Sequence, residues 1–163
     1  MKTWQEYVAS GYSLHYVGGS GKSGKYSSFG IANKYEYGKR FFLMVPVNDS
    51  VQKEKESEQY FFESPQGTLV REFLEETGVK PLKCRLISTL ILTGQEKYLY
   101  KIKKFDDSRM FTKPESQRVG PPFWIPEDVV KDAKVIFHAH AWIYLEFMKI
   151  GIRIDSSATA RVI

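Results

Sequence analysis

A chain of 163 residues fits one domain and can bury a core without disulfide or metal staples. Its 42% apolar, 26% charged and 15% aromatic residues exclude a disordered chain. The formal net charge of +5 favours anionic partners, although a basic surface carried for solubility alone has the same balance. One cysteine, Cys84, excludes an internal disulfide and suits a reducing cytoplasm. No apolar run approaches the ~20 residues of a spanning helix, and no apolar stretch follows Lys2 as a secretory leader would need.

In chain order, the segment 3–10 predicts a short helix, capped by Thr3 and ended by Gly11. Tyr12–Val17 alternates as a strand. Residues 18–28 are rich in Gly, Ser and Lys and predict a loop or wide hairpin turn. Phe29–Tyr37 and Arg40–Val47 predict strands joined at Gly38, and the apolar run 41–45 is expected to be central. Asn48–Glu58 is polar and predicts a loop. Ser64–Thr77 is the clearest helix, with Ser64 as N-cap, Pro65 in the first position and Gly78 at the end. Leu86–Leu92 and Lys97–Lys103 predict a hairpin turning at Thr93-Gly94-Gln95. Phe105–Pro122 predicts a long loop, Phe123–Ile125 a short strand, and Glu127–Ile150 helix in one or two pieces. The end, 151–163, is expected to fray. The order predicts a single α/β domain over 1–163, a mixed sheet with helices packed on it.

Glu63–Val79, E-S-P-Q-G-T-L-V-R-E-F-L-E-E-T-G-V, carries the chemistry. On a helix Glu72, Glu75 and Glu76 share one face, while Leu69, Val70, Phe73 and Leu74 fall toward a core. Such crowded carboxylates repel one another, and Arg71 offsets only part of that by its i, i+4 pairing with Glu75. A hard cation such as Mg²⁺ or Mn²⁺ among the oxygens would relieve the repulsion. Taken alone, E-x-x-E-E is most often a solvated acidic face.

The spacing of the whole stretch resembles the signature of the Nudix hydrolase (MutT-like) family, G-x5-E-x7-R-E-U-x-E-E-x-G-U with U apolar. Glu63, Arg71, Glu72, Phe73, Glu75, Glu76, Gly78 and Val79 fall on matching positions. The first glycine falls on Ser57, preceded by Glu56, so the family's glycine turn is altered. A second alignment places that turn at Ser64-Pro65-Gln66-Gly67 with a shorter helix after it, and would remove Glu63 from its role.

The resemblance implies a Nudix-type α/β/α sandwich and metal-dependent hydrolysis of a phosphoanhydride bond in a nucleoside diphosphate linked to another moiety. It implies Glu75 and Glu76 as metal ligands, Glu72 as metal-associated ligand or catalytic base, Glu63 as a member or support of the metal cluster, and Arg71 as the residue orienting a carboxylate. A further carboxylate from a later loop is expected at Glu115, with Glu96 as second candidate. The resemblance admits a nucleotide or an RNA 5′ end as substrate and a homodimer as assembly. Its alternative is a degenerate Nudix domain acting as a nucleotide-ligand sensor or RNA-binding module, which the altered Glu56-Ser57 turn motivates.

Gly18–Ser23 suggests a P-loop, but the pattern requires glycine where Tyr16 stands and no helix pattern follows Lys22; the loop could still bring Lys22 and Lys25 toward phosphates, although a flexible surface loop is the commoner case. His138 and His140, two apart, do not share a helical face, and His15 is far away in sequence, so all read as structural or surface residues. Tyr35, Tyr37, Phe61 and Phe123 could stack a base but more commonly such residues pack.

Overall fold

The computed structural model describes residues 2–52, 63–110 and 116–149. Helix α1 (Trp4–Ala9) opens with a capping box, Thr3 accepting from the Glu6 amide while the Glu6 carboxylate accepts from the Thr3 amide. The strands are β1 (Ser13–Ser20), β2 (Tyr26–Ile31), β3 (Asn33–Glu36) and β4 (Lys39–Val47), followed by α2 (Pro65–Thr77). Then come β5 (Lys80–Leu92), β6 (Gln95–Asp106), β7 (Phe123–Pro126) and α3 (Glu127–Val130). A 3₁₀ turn at His138–His140 leads into helical residues 141–149, here α4. The expected last helix is thus broken between residues 131 and 137.

The seven strands form a mixed sheet in the order β3-β4-β1-β2-β6-β5, with β7 also on β4. Among the described strands only β2 and β6 pair in parallel, Phe29 facing Leu99. Within β4, Phe42 pairs with both Asn33 and Ile125, and Met44 with both Tyr16 and Phe123. A strand residue has one partner per edge, so β3 and β1 share one edge of β4 and β7 takes the other. The run 41–45 is therefore central, as its apolar character predicts. Two tight turns follow the local sequence: Tyr37-Gly38 and Thr93-Gly94 both have positive φ throughout, the geometry that matches strand twist in two-residue hairpins.

Side chains alternate across the sheet into two cores. Leu14, Tyr16, Phe29, Phe42, Met44 and Leu99 pack with Ile143 and Phe147 of α4 on one face. Val17, Leu43, Tyr100 and Ile102 pack with Leu69 and Phe73 of α2 on the other. The result is the expected α/β/α arrangement, helices covering both faces of a mixed sheet.

Of the two expectations for 18–28, the hairpin turn is the one the chain adopts, with a turn shorter than the whole segment. β1 continues through Gly18 and Gly19 to Ser20, and β2 begins at Tyr26, leaving 21–25 as the turn. Glycine here marks close approach and not a break in the strand. A Cβ on Gly18 would lie 2.2 Å from the Ser28 carbonyl oxygen, and one on Gly19 would lie 2.9 Å from the Glu72 carboxylate. Gly30 works the same way on β2: its Cβ would meet Phe73 at 2.6 Å and Leu69 at 2.8 Å, so the bare backbone lets α2 settle on the sheet.

Among the described residues, no helix is long and apolar enough to cross a membrane. The tail 151–163, Ser57, Phe61 and Glu115 lie outside the described residues.

Candidate functional site

Helix α2 begins as its sequence directs. Ser64 accepts from the Gly67 amide at 3.0 Å, Pro65 occupies the first turn, and Gly78 closes the helix in the left-handed region at φ 74°. Gly67 is inside the helix, so the alternative in which Ser64–Gly67 forms a turn before a shorter helix is not what the chain adopts. The apolar face is narrower than expected: Leu69 and Phe73 are fully buried, but Leu74 is 44% exposed. The helix is rotated so that Leu74 meets solvent beside Lys80, Asp106 and Arg109.

That rotation sets the environments of the glutamates. Glu72 is only 4% exposed and faces the bare backbone at Gly19. Glu76 is half-buried and accepts from the Gly18 amide through Oε2 at 3.4 Å. Glu75 points outward, its side chain 51% exposed. The helix thus carries its carboxylates in a gradient from the β1 backbone to solvent.

Arg71 ties them together. Its Nε donates to Glu63 Oε2 at 2.7 Å and its Nη2 to Glu63 Oε1 at 3.1 Å, a bidentate pair. Its Nη1 reaches Glu72 at 3.1 Å and Glu75 at 3.3 Å, and its Nη2 also reaches the Ser20 carbonyl at 3.5 Å. The bond from Arg71 holds the Glu63 carboxyl below its ordinary pKa, against the opposing effect of burial, with Thr68 and the nearby charge of Lys22 assisting. The guanidinium pKa is raised in turn, chiefly by Glu63 and further by Glu72 and Glu75, while burial opposes it.

Glu63 is held from its other side as well. Thr68 Oγ1 donates to its Oε1 at 2.7 Å. The Tyr26 hydroxyl lies 2.7 Å from the Glu63 carbonyl oxygen and 2.9 Å from Thr68 Oγ1. A residue of β2 therefore fixes the chain entering α2.

Five expected site residues, Glu63, Arg71, Glu72, Glu75 and Glu76, gather at the junction of α2 with the end of β1. Glu115 lies outside the described residues. Glu96 stands instead at the start of β6, accepting from the Tyr98 hydroxyl at 2.8 Å. Sequence reasoning missed Gly18, Gly19, Ser20, Tyr26 and Thr68. The glycine pair was visible only as composition and as an incomplete P-loop pattern; Tyr26 and Thr68 carried no signal, because their role is set by contacts across the sheet.

The donor chemistry suits a hard divalent ion, since every candidate ligand offers carboxylate oxygen. Among the described residues, however, no group of three His, Cys, Asp or Glu side chains is gathered so as to hold a metal ion. The cation standing between Glu63, Glu72 and Glu75 is the Arg71 guanidinium.

Beside this cluster opens a cleft of about 730 Å³. Lys22, Lys25 and Tyr26 form one side, Ile91, Glu96 and Tyr98 another, and Glu63–Pro65 its inner end.

On the opposite sheet face, His15 and His140 come together despite their separation in sequence, with ring centroids 4.9 Å apart. His140 Nδ1 accepts from the Tyr16 amide at 3.1 Å, and His15 Nε2 lies 3.1 Å from Asp49. Burial lowers the pKa of His15 to about 4, with Asp49 opposing, and that of His140 to about 3. Both pack among aromatic rings, His15 stacked on Phe137 and His140 edge-on to Phe29. Tyr35 and Tyr37 are exposed and Phe123 packs against the α4-side core.

No family model matches the chain, and no curated protein matches it in sequence. Its backbone is similar to that of a MutT from a study of the proteins of Aliivibrio salmonicida and Vibrio cholerae, at 13% identity and TM-score 0.41, covering 85% of this chain and 98% of that one. It is also similar to the Nudix domain of Shewanella oneidensis NrtR, a structure complexed with ADP ribose, at 15% identity and TM-score 0.48, covering 91% of this chain and 99% of that one.

Proposed function

We propose that this chain is a Nudix hydrolase that uses Mg²⁺ or Mn²⁺ to cleave a phosphoanhydride bond in a nucleoside diphosphate linked to another moiety. The observation that carries the reading is the Arg71 hub: one guanidinium engages Glu63, Glu72 and Glu75, each on its signature position. In this reading Glu72, Glu75 and Glu76 would hold the ion once drawn together around it, and Glu63 would support them by fixing Arg71. When bound, the ion supplies charge neutralisation on phosphate oxygens and an acidified water.

The protein's own groups do the rest. Arg71, anchored at two points by Glu63, sets the orientation of the Glu72 carboxylate. Glu72, buried against Gly19, would serve as metal-associated ligand or as the base that takes a proton from the attacking water. The Gly18 amide positions Glu76. Glu115 remains the proposed further carboxylate, and the cytoplasm the proposed compartment, in keeping with the unpaired thiol of Cys84.

A second reading is a sensor domain that binds nucleotide without turnover, in which Arg71 permanently takes the place of a metal. The absence of a gathered three-ligand group among the described residues favours it. Turnover of a panel of nucleoside diphosphate derivatives with Mg²⁺, Mn²⁺ or chelator, wild type beside Glu76→Gln, separates the two. Metal-dependent release of a nucleoside monophosphate, lost in the variant, supports the hydrolase; equal turnover in Glu76→Gln refutes the metal assignment. Tight binding without turnover supports the sensor.

A further inference from the structure

The cleft beside Glu63 has two unlike walls. The turn between β1 and β2 contributes Lys22 and Lys25, both exposed. The β5–β6 hairpin contributes Ile91 and Tyr98, on one face of the sheet because Ile91 pairs with Glu96 and Thr89 with Tyr98. Ile91 is 71% exposed, an apolar side chain left open at a cleft mouth. Between the walls the Tyr26 ring meets the Tyr98 ring edge-on, centroids 5.9 Å apart and planes at 87°. That contact uses one edge of the aromatic pair, and the Tyr26 hydroxyl is already committed to Glu63 and Thr68.

The polar groups are ordered along the cleft. Lys22 lies close enough to Glu63 to act on its ionisation, so the cationic wall reaches the carboxylate end. Glu96 stands at the hairpin end, an exposed carboxylate whose Oε2 accepts from the Tyr98 hydroxyl. A ligand complementary to this arrangement is flat and apolar at one end, bears a donor such as a ribose hydroxyl or ring amine beside it, and is polyanionic at the other.

We infer that this cleft binds the nucleoside end of a nucleoside diphosphate, its base against Tyr98 and Ile91 and its phosphates along Lys25 and Lys22 toward Glu63. The inference rests on the function proposed above for the direction in which the phosphates run. The specificity-determining residues are then Tyr98, Ile91 and Glu96, and the phosphate-guiding residues are Lys22 and Lys25. Because every base offers a flat face, stacking on Tyr98 gives affinity, while Glu96 selects among ligands.

The test is binding of ADP, adenosine and inorganic pyrophosphate to the full chain by calorimetry in chelator, where turnover plays no part. ADP is expected to bind more tightly than adenosine or pyrophosphate. Tyr98→Ala is expected to weaken ADP by about tenfold and to leave pyrophosphate unchanged. Lys25→Glu, in an exposed turn where the fold is insensitive, is expected to weaken ADP about fivefold or more and adenosine not at all. The inference is overturned if ADP fails to bind, or if a folded Tyr98→Ala and Lys25→Glu both bind it as the wild type does. Kinetics separate it from the hydrolase reading: turnover with an unchanged KM in both variants sinks this site alone, whereas ADP binding sensitive to both variants, without any hydrolysis, sinks only the hydrolase.

Discussion

Glu63 and Arg71 are joined by two parallel hydrogen bonds of 2.7 and 3.1 Å, although Glu63 precedes α2 and Arg71 lies well inside it. Their side chains are 8% and 16% exposed, so the pair stands largely out of water. This fixes the approach of the chain to the helix and the direction of the guanidinium that reaches Glu72 and Glu75.

Arg71→Ala is expected to cost about 3 kcal/mol, because it strands the carboxylates of Glu63 and Glu72 in a dry junction. Arg71→Lys recovers little, since an ammonium cannot make the two-pronged contact. Urea unfolding of both variants, of Glu63→Gln and of Glu63→Gln/Arg71→Ala checks this. The double variant is expected to be more stable than Arg71→Ala alone; strict additivity of the two losses would refute the coupling.

Stability is expected to fall on acidification in two steps. His15 and His140 are neutral in the fold, with pKa lowered to about 4 and about 3 from 6.5. The unfolded chain therefore binds protons first, and the contribution of each, complete above pH 6.5, is lost as pH falls toward those values. At pH 5.5 the loss is about 1 kcal/mol for each. Glu63 adds a second step: its lowered pKa gives stability present above about 4.5 and lost as pH falls through its folded value. Unfolding titrations at pH 7.5 and 5.5 should show a smaller difference in His140→Gln, which retains an acceptor for the Tyr16 amide; an unchanged difference would count against a buried neutral imidazole.

Gly19→Ala and Gly30→Ala should separate site geometry from packing. The Gly19 Cβ meets the Glu72 carboxylate at 2.9 Å and displaces it, so turnover is expected to drop roughly a hundredfold with little change in unfolding midpoint. The Gly30 Cβ meets Phe73, Leu69 and Ile102 within 3.1 Å, and this overpacking is expected to cost about 2 kcal/mol. Equal effects of both on stability would contradict the placement of Glu72.

Tyr26→Phe removes the hydroxyl that joins β2 to the Glu63 carbonyl and Thr68, and is expected to cost about 1 kcal/mol. Slower or weaker turnover in the folded variant would show that the anchor also holds the site; unchanged stability would place the hydroxyl bonds outside the energetics of the fold.

The sequence by itself determined what depends on neighbours along the chain. Ser64, Pro65 and Gly78 bound α2, the i, i+3, i+4 spacing brings its glutamates to one side, and Tyr37-Gly38 and Thr93-Gly94 make the tight turns. These are local because helix periodicity and turn dihedrals are set within a few residues. Tertiary structure decided which of those glutamates is buried, since the rotation of α2 on the sheet is fixed by Phe73 and Leu69 against Gly30. It also decided that Gly18 and Gly19 lie in a strand, because what they accommodate, the Ser28 carbonyl and the Glu72 carboxylate, arrives from distant parts of the chain. The same holds for Tyr26 beneath Glu63 and for His15 beside His140. No spacing rule encodes such meetings; they follow from the order in which strands pair and from the cores that form on the two faces of the sheet.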